Sequence, residues 1–293
     1  MNFGKKLLLA SYYQSTLPYR LWRNRRAAAA GIAPIRILFY HRVADFCPNP
    51  WSMPWHTFHE QIEWIRHNFE IITLAEAQRR MSEQDSHNEA AVITFDDGYA
   101  DNCDDALPYL IDNQIPFTYF VTTKHILEQL PFPHDLAREE PLYSNTVSQL
   151  RELVAAGVEI GAHTRNHANL GRLHDPARLR SETIEAAQEM EQAIGCRMRY
   201  FAFPFGQVEN LNRSVFTLFR EAGYAGVCSA YGGYNVPGDD PFHLRRLHGD
   251  PNTMRIKNWM TYDERVARQA PSYEYRETTT DLSEECLEEA TAS

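Results

Sequence analysis

The five cysteines, Cys47, Cys103, Cys196, Cys228 and Cys286, are scattered through 293 residues without a single CxxC. Neither a zinc ribbon nor a disulfide framework is indicated, and an odd, dispersed set suits a reducing compartment. No stretch approaches the ~20 apolar residues that span a bilayer. The apolar core of "MNFGKKLLLASYY" is also shorter than the roughly 7 to 15 residues of a signal peptide. The expectation is a cytoplasmic protein. A basic excess is missing too: the formal net charge is -10, which argues against a nucleic-acid binder. One local absence has the opposite sign. No Asp or Glu precedes Asp45, although eight Lys and Arg do. This basic, aromatic extension, residues 1–33, reads either as a peripheral foothold on the anionic inner face of a membrane or as an extra helix packed on the domain.

The opposite end, "YEYRETTTDLSEECLEEATAS", is acidic and short of core residues, so residues 263–293 are expected to form a disordered tail. Between them, residues 34–262 read as one domain without repeat or linker. A hydrophobic content of 43% can bury a large core, and a single α/β barrel commonly runs to about 250 residues. Apolar runs suited to strands are "IRILFY" (35–40), "AAVITF" (90–95), "FTYFV" (117–121), "VEIGA" (158–162), "YFAF" (200–203), "AGVCS" (225–229) and "HLRRL" (243–247). Helical patterns alternate with them. Trp55 to Asn68 carries Phe58, Ile62 and Ile65 at helical spacing. Pro176 to Ile194 follows a capping Asp175, and Leu211 to Ala222 stops at Gly223. Strand and helix repeated about seven times imply parallel pairing with helices outside.

The polar residues fall at the strand ends. His41 follows the first strand, Asp96 and Asp97 the second, His163 follows "VEIGA", and Pro204 and Gly206 follow "YFAF". Carboxyl ends of barrel strands converge on one face, where active sites lie. An ordinary Asp-Gly turn at Asp96–Gly98 would not explain that coincidence. In "HTRNH", His163 and His167 are four apart, so a helical turn would place both imidazoles on one face. Two His and one Asp leave positions open for water and substrate, as a catalytic metal site requires.

"TFDDGY", "HTRNH" and "FAFPFG", in this order, resemble the three main motifs of the NodB-like polysaccharide deacetylases, carbohydrate esterase family 4. The resemblance spans about Ile35 to Asp250. It implies a distorted (β/α) barrel of about seven strands that removes N- or O-acyl groups from sugars with a divalent metal. By that resemblance Asp97, His163 and His167 would bind the metal, zinc first, with cobalt, nickel or iron as alternatives, and Asp96 would be the general base. Two departures stand out. Ala202 occupies the place of the Arg found in the third motif of many members, so the group orienting the base must come from elsewhere; Arg246 is the candidate, against a surface cation at a strand end. "RLHGD" offers His248 for the late histidine that usually supplies the acid. "LFYHRV", however, resembles the permuted branch that includes poly-N-acetylglucosamine deacetylases, and there the histidine after Tyr is the acid. His41 is therefore preferred to His248.

The expected partner is an N-acylated sugar or oligosaccharide, in polysaccharide or glycolipid biosynthesis. Tyr99, Pro204, Phe205 and Gly206 are the expected substrate contacts, with Tyr40 as a further aromatic. The long connection Lys124 to Val147 would wall the cleft, with His134 and Asp135 as lesser candidates. Rival readings are a deformylase or cyclic-amide hydrolase on the same scaffold, a non-catalytic sugar-binding scaffold, and a non-haem iron oxygenase, whose two-His-one-carboxylate set is similar.

Overall fold

The computed structural model describes residues 3–137 and 142–276, without the side chains of Phe3 and Lys6. Seven strands close a barrel: β1 (Ile35–Tyr40), β2 (Ala90–Phe95), β3 (Phe117–Val121), β4 (Glu159–Ala162), β5 (Tyr200–Ala202), β6 (Gly226–Ser229) and β7 (His243–His248). Each pairs in parallel with its neighbour in sequence, and β7 returns to β1 with Ile37 opposite Arg246. A two-residue strand, Glu70–Ile71, also pairs with the start of β2. Every residue of β1 and β2 is buried, as parallel strands with helices outside require. Alternation sorts them. Ile35, Ile37, Ala90, Val92, Ala202, Cys228 and Leu244 form one cluster, while Leu38, Tyr40, Ala91, Ile93, Phe95 and Phe201 belong to the larger cluster beneath the helices. Carried past the last apolar residue, the first row runs on to His41, Asp96 and Arg246. Gly161 belongs to it because a Cβ there would meet the Phe120 ring at 2.4 Å.

The helices follow their local signals. In α2 (Trp55–Asn68) Phe58, Ile62 and Ile65 are buried. Thr73 caps α3 (Leu74–Glu83), and a capping box of Thr146 and Gln149 opens α4 (Val147–Ala155). The pattern from Pro176 to Ile194 is helical throughout but contains a π turn at Ser181–Glu185, after which α5 (Ala186–Ile194) ends at Gly195 in the left-handed conformation. Helix α6 (Arg213–Glu221) starts two residues later than its pattern, where Asn212 caps it.

The N-terminal extension takes one of its two expected forms, a helix packed on the domain, whereas part of the C-terminal tail departs from expectation. The N-terminal extension is one long helix, α1 (Phe3–Ala29), and one of its faces is committed to the domain. Arg20, buried, donates to Asn258 O and Oδ1 on α7 (Thr253–Met260), and Asn24 donates to Glu89. Residues 263–276, expected in a disordered tail, are ordered: α8 (Glu264–Gln269) follows α7, and the Tyr275 ring stacks on Phe216 at 3.9 Å. The acidic stretch beyond lies outside the described residues. The four described cysteines are free.

Candidate active site

Side chains of consecutive strand residues point to opposite faces, so two adjacent carboxylates reach one cavity only if the chain turns between them. It does so at the end of β2, where Asp97 has φ +73° and Gly98 φ +84°. Both aspartates are buried. His163 enters from the end of β4 and its Nδ1–H donates to Ala202 O at 2.7 Å. That bond fixes the tautomer and leaves the Nε2 lone pair directed at Asp97.

The helical turn expected for His163–His167 is absent. The segment is an irregular loop with Thr164 and His167 both in the left-handed region, held from behind by the π turn. Glu182 accepts from the Asn166 backbone N–H at 3.0 Å and from its side chain, while its own carbonyl accepts from Arg165 N–H. Asp97, His163 and His167 still converge, each offering a ligand atom within 4.8 Å of the others. Asp97 Oδ1 lies 3.3 Å from His167 Nε2 and 3.5 Å from His163 Nε2, yet it is buried without a hydrogen bond. Donors held at about 2.1 Å from an ion at tetrahedral angles stand about 3.4 Å apart, so this orphaned oxygen and its two neighbours fit a divalent cation.

Arg246 reaches Asp96 from β7. Its guanidinium is wholly buried and makes a two-pronged contact, Nη1 to Oδ1 at 2.6 Å and Nη2 to Oδ2 at 2.8 Å, while Nη1 also donates to Thr94 Oγ1 and Nε to Ser229 O. Burial alone would raise the Asp96 carboxyl; the adjacent guanidinium outweighs it and holds the group below the usual range. Asp97 is likewise held low against its burial by His167 and His163. His41 and His248 stand side by side, ring centroids 6.0 Å apart, both packed on Phe39. Burial lowers both, His248 to about 4; the charges of Asp97 and Asp96 oppose the shift at His41.

These groups line a cavity of about 470 Å³. Of the expected substrate contacts only Phe205 faces it, about half exposed and 4.9 Å from the His167 ring. Tyr99 and Tyr40 are buried instead. The Tyr99 hydroxyl donates to Asp135 at 2.8 Å, behind the cavity wall. Pro204 is buried in the turn, and Gly206 is there because a Cβ would lie 2.6 Å from Ala230 N. The cavity adds Trp51, His134 and Gln207, of which neither Trp51 nor Gln207 was a candidate by sequence. Trp51 packs on His41 at 5.1 Å. Its loop is held by Arg42, buried beside His41, which bonds Asp101, Cys47 O, Ser52 Oγ and Phe46 O. The signal was faint: a tryptophan between prolines in "NPWSMPW", placed by a neighbouring arginine.

Residues 83–227 match the family model for polysaccharide deacetylases. This chain carries a polysaccharide deacetylase domain. The domain is similar to the "Putative polysaccharide deacetylase YxkH" of Bacillus subtilis (strain 168). Identity is 27% over 194 residues, 66% of this chain, and the match spans 63% of the relative's length. Among solved structures the fold matches IcaB from Ammonifex degensii, with a TM-score of 0.65, 22% identity, and coverage of 78% of this chain and 97% of that one. It also matches the deacetylase PplD of Streptococcus pyogenes, with a TM-score of 0.64, 19% identity and the same coverage. The deacetylase domain thus has the (β/α) barrel of these structures.

Proposed function

We propose that the protein is a metal-dependent hydrolase that removes an N-acetyl, or another N-acyl, group from a sugar, in polysaccharide or glycolipid biosynthesis. The observation that carries this reading is the convergence of Asp97, His163 and His167 beside a second carboxylate, Asp96, clamped by a buried arginine. A divalent cation held by those three residues, zinc first, with cobalt, nickel and iron also suited to nitrogen and oxygen donors, supplies polarisation of the acyl carbonyl and acidification of water. Asp96 takes the proton of the attacking water. Its fork to Arg246 fixes the direction of both carboxylate oxygens and keeps the group ionised at neutral pH. Negative charge then grows on the former carbonyl oxygen, on the side of the cavity lined by Asp97, His163 and His167.

Breaking the C–N bond needs a proton on the departing sugar nitrogen. We assign its delivery to His41, which lines the cavity and feels the charges of Asp97 and Asp96; these oppose the lowering of its pKa by burial. A free amine and a carboxylic acid result. Trp51 beside His41 and Phe205 beside His167 offer ring faces to a pyranose.

The test is acetate release by purified, metal-loaded protein from a panel of N-acetylated oligosaccharides and lipid-linked sugars, with His163→Ala alongside. Metal content and turnover should fall together in the variant. Full metal occupancy of His163→Ala by elemental analysis removes the ligand assignment, and a metal-loaded wild type inert toward the whole panel removes the deacetylase reading.

A further inference from the structure

Of the twelve large apolar side chains exposed among the described residues, five lie on α1: Leu7, Leu8, Tyr19, Leu21 and Trp22. At 100° per residue, Trp22 lies on the side of α1 opposite the buried Tyr13, Arg20 and Asn24. Leu8, Tyr19 and Arg26 flank it on one side, Leu7 and Arg25 on the other. The ring of Tyr19 lies 6.0 Å from that of Trp22, and the Arg26 guanidinium lies over Trp22 at 4.9 Å. Because Arg20 and Asn24 commit the inner face to the barrel, this outer face is the one α1 presents to a partner.

We propose that the outer face of α1 is a docking surface for an anionic lipid bilayer, on which the helix lies in the plane of the interface. Charge complementarity favours lipid over protein. The chain as a whole carries -10, yet α1 has no acidic residue, and Arg25 and Arg26 lie on either side of Trp22 around the helix. The acids beside it, Asp263 and Glu264, are paired with Arg265 and Arg268. Trp and Tyr with Arg on one helical face is the composition of an interfacial helix, aromatic rings at headgroup depth and cations on the phosphates. No helix among the described residues is long and apolar enough to cross a membrane, so α1 would rest on the surface without spanning it. The proposal does not depend on the metal chemistry.

Co-sedimentation of the full chain with vesicles tests it, comparing phosphatidylcholine alone with phosphatidylcholine mixed with phosphatidylglycerol, at low and high salt. Binding to the mixed vesicles at low salt is expected. It should weaken by about tenfold or more at high salt and in an Arg25→Glu/Arg26→Glu variant. Leu8→Ser/Trp22→Ser should also release the protein, and circular dichroism and thermal midpoint should show both variants folded, since all four side chains are exposed. Absence of binding to mixed vesicles at low salt overturns the proposal, as does equal binding by both folded variants. A concentration-dependent dimer that Leu8→Ser/Trp22→Ser dissolves, without vesicle binding, would overturn it in favour of a second copy.

Discussion

Arg246 and Arg36 lie on the neighbouring strands β7 and β1, one residue apart in register and both wholly buried, but their guanidinium groups reach carboxylates at opposite ends of β2 and in different company. At the mouth, Arg246 forks onto Asp96, itself only 4% exposed, and the pair borders an open cavity. Its attraction to Asp96 outweighs burial, so the guanidinium is held above its ordinary value and the carboxyl below. At the foot, Arg36 meets Glu89 through one prong, and Glu89 is 23% exposed and shared with Asn24 of α1. There burial wins, and Arg36 is lowered. The same residue type thus tunes a reactive group at one end and latches a helix to the barrel at the other. A buried ion pair is weak evidence of stability by itself; what it borders decides its use.

The comparison breaks first at Asp96. Asp96→Asn should retain the metal and the fold and lose about 100-fold to 10,000-fold in turnover; near-normal turnover would move the base elsewhere. Next is the acid. His41→Ala should slow amide cleavage by about 100-fold or more and remove the alkaline limb of the pH–rate profile, while an activated ester, whose leaving group needs little proton assistance, suffers much less. His248→Ala should leave both substrates nearly intact, and the reverse pattern would transfer the acid role to His248.

A third, smaller effect separates the two arginines directly. In Arg246→Met the largest opposition to burial is lost and the Asp96 carboxyl rises, so the acidic limb of the pH–rate profile should move upward and turnover at neutral pH should fall, by about tenfold for each unit by which the carboxyl pKa exceeds the assay pH. Arg36→Met should leave that limb where it is; movement in both variants would mean that the limb reports stability. Smallest is Glu89→Gln. It should destabilise by about 1–2 kcal/mol in urea unfolding, less than the roughly 3–5 kcal/mol of a fully buried broken pair because Glu89 is partly in water. Turnover should stay unchanged, and a selective loss of rate would make the foot part of the machinery.

Much of the barrel was legible because its signals are local. "AAVITF" is a buried strand by composition alone, and Asp175 and Gly223 bound helices through a side chain or a left-handed backbone within a few residues. The convergence of His41, Asp96, Asp97 and His163 was legible from their positions after strands, since parallel strands in a barrel leave only one face for them. The helical turn at His163–His167 was misread because Glu182, 16 residues away, holds the loop in a left-handed path that no propensity of "HTRNH" encodes. Tyr99 was misread for a similar reason: its hydroxyl is claimed by Asp135, 36 residues on.

By itself the sequence determined the alternation of strand and helix and the placing of polar residues after strands, because each follows from periodicity or from a short motif, and the resemblance of its motifs to a known family named the three metal-binding candidates. Only the tertiary structure decided that Ala202 lends a carbonyl to His163, that Arg246 fills the place left without an arginine, and that Trp51 stands over His41. These depend on closure: β7 must pair with β1 before Arg246, 150 residues from Asp96, comes within hydrogen-bonding distance of it, and no local pattern carries that information.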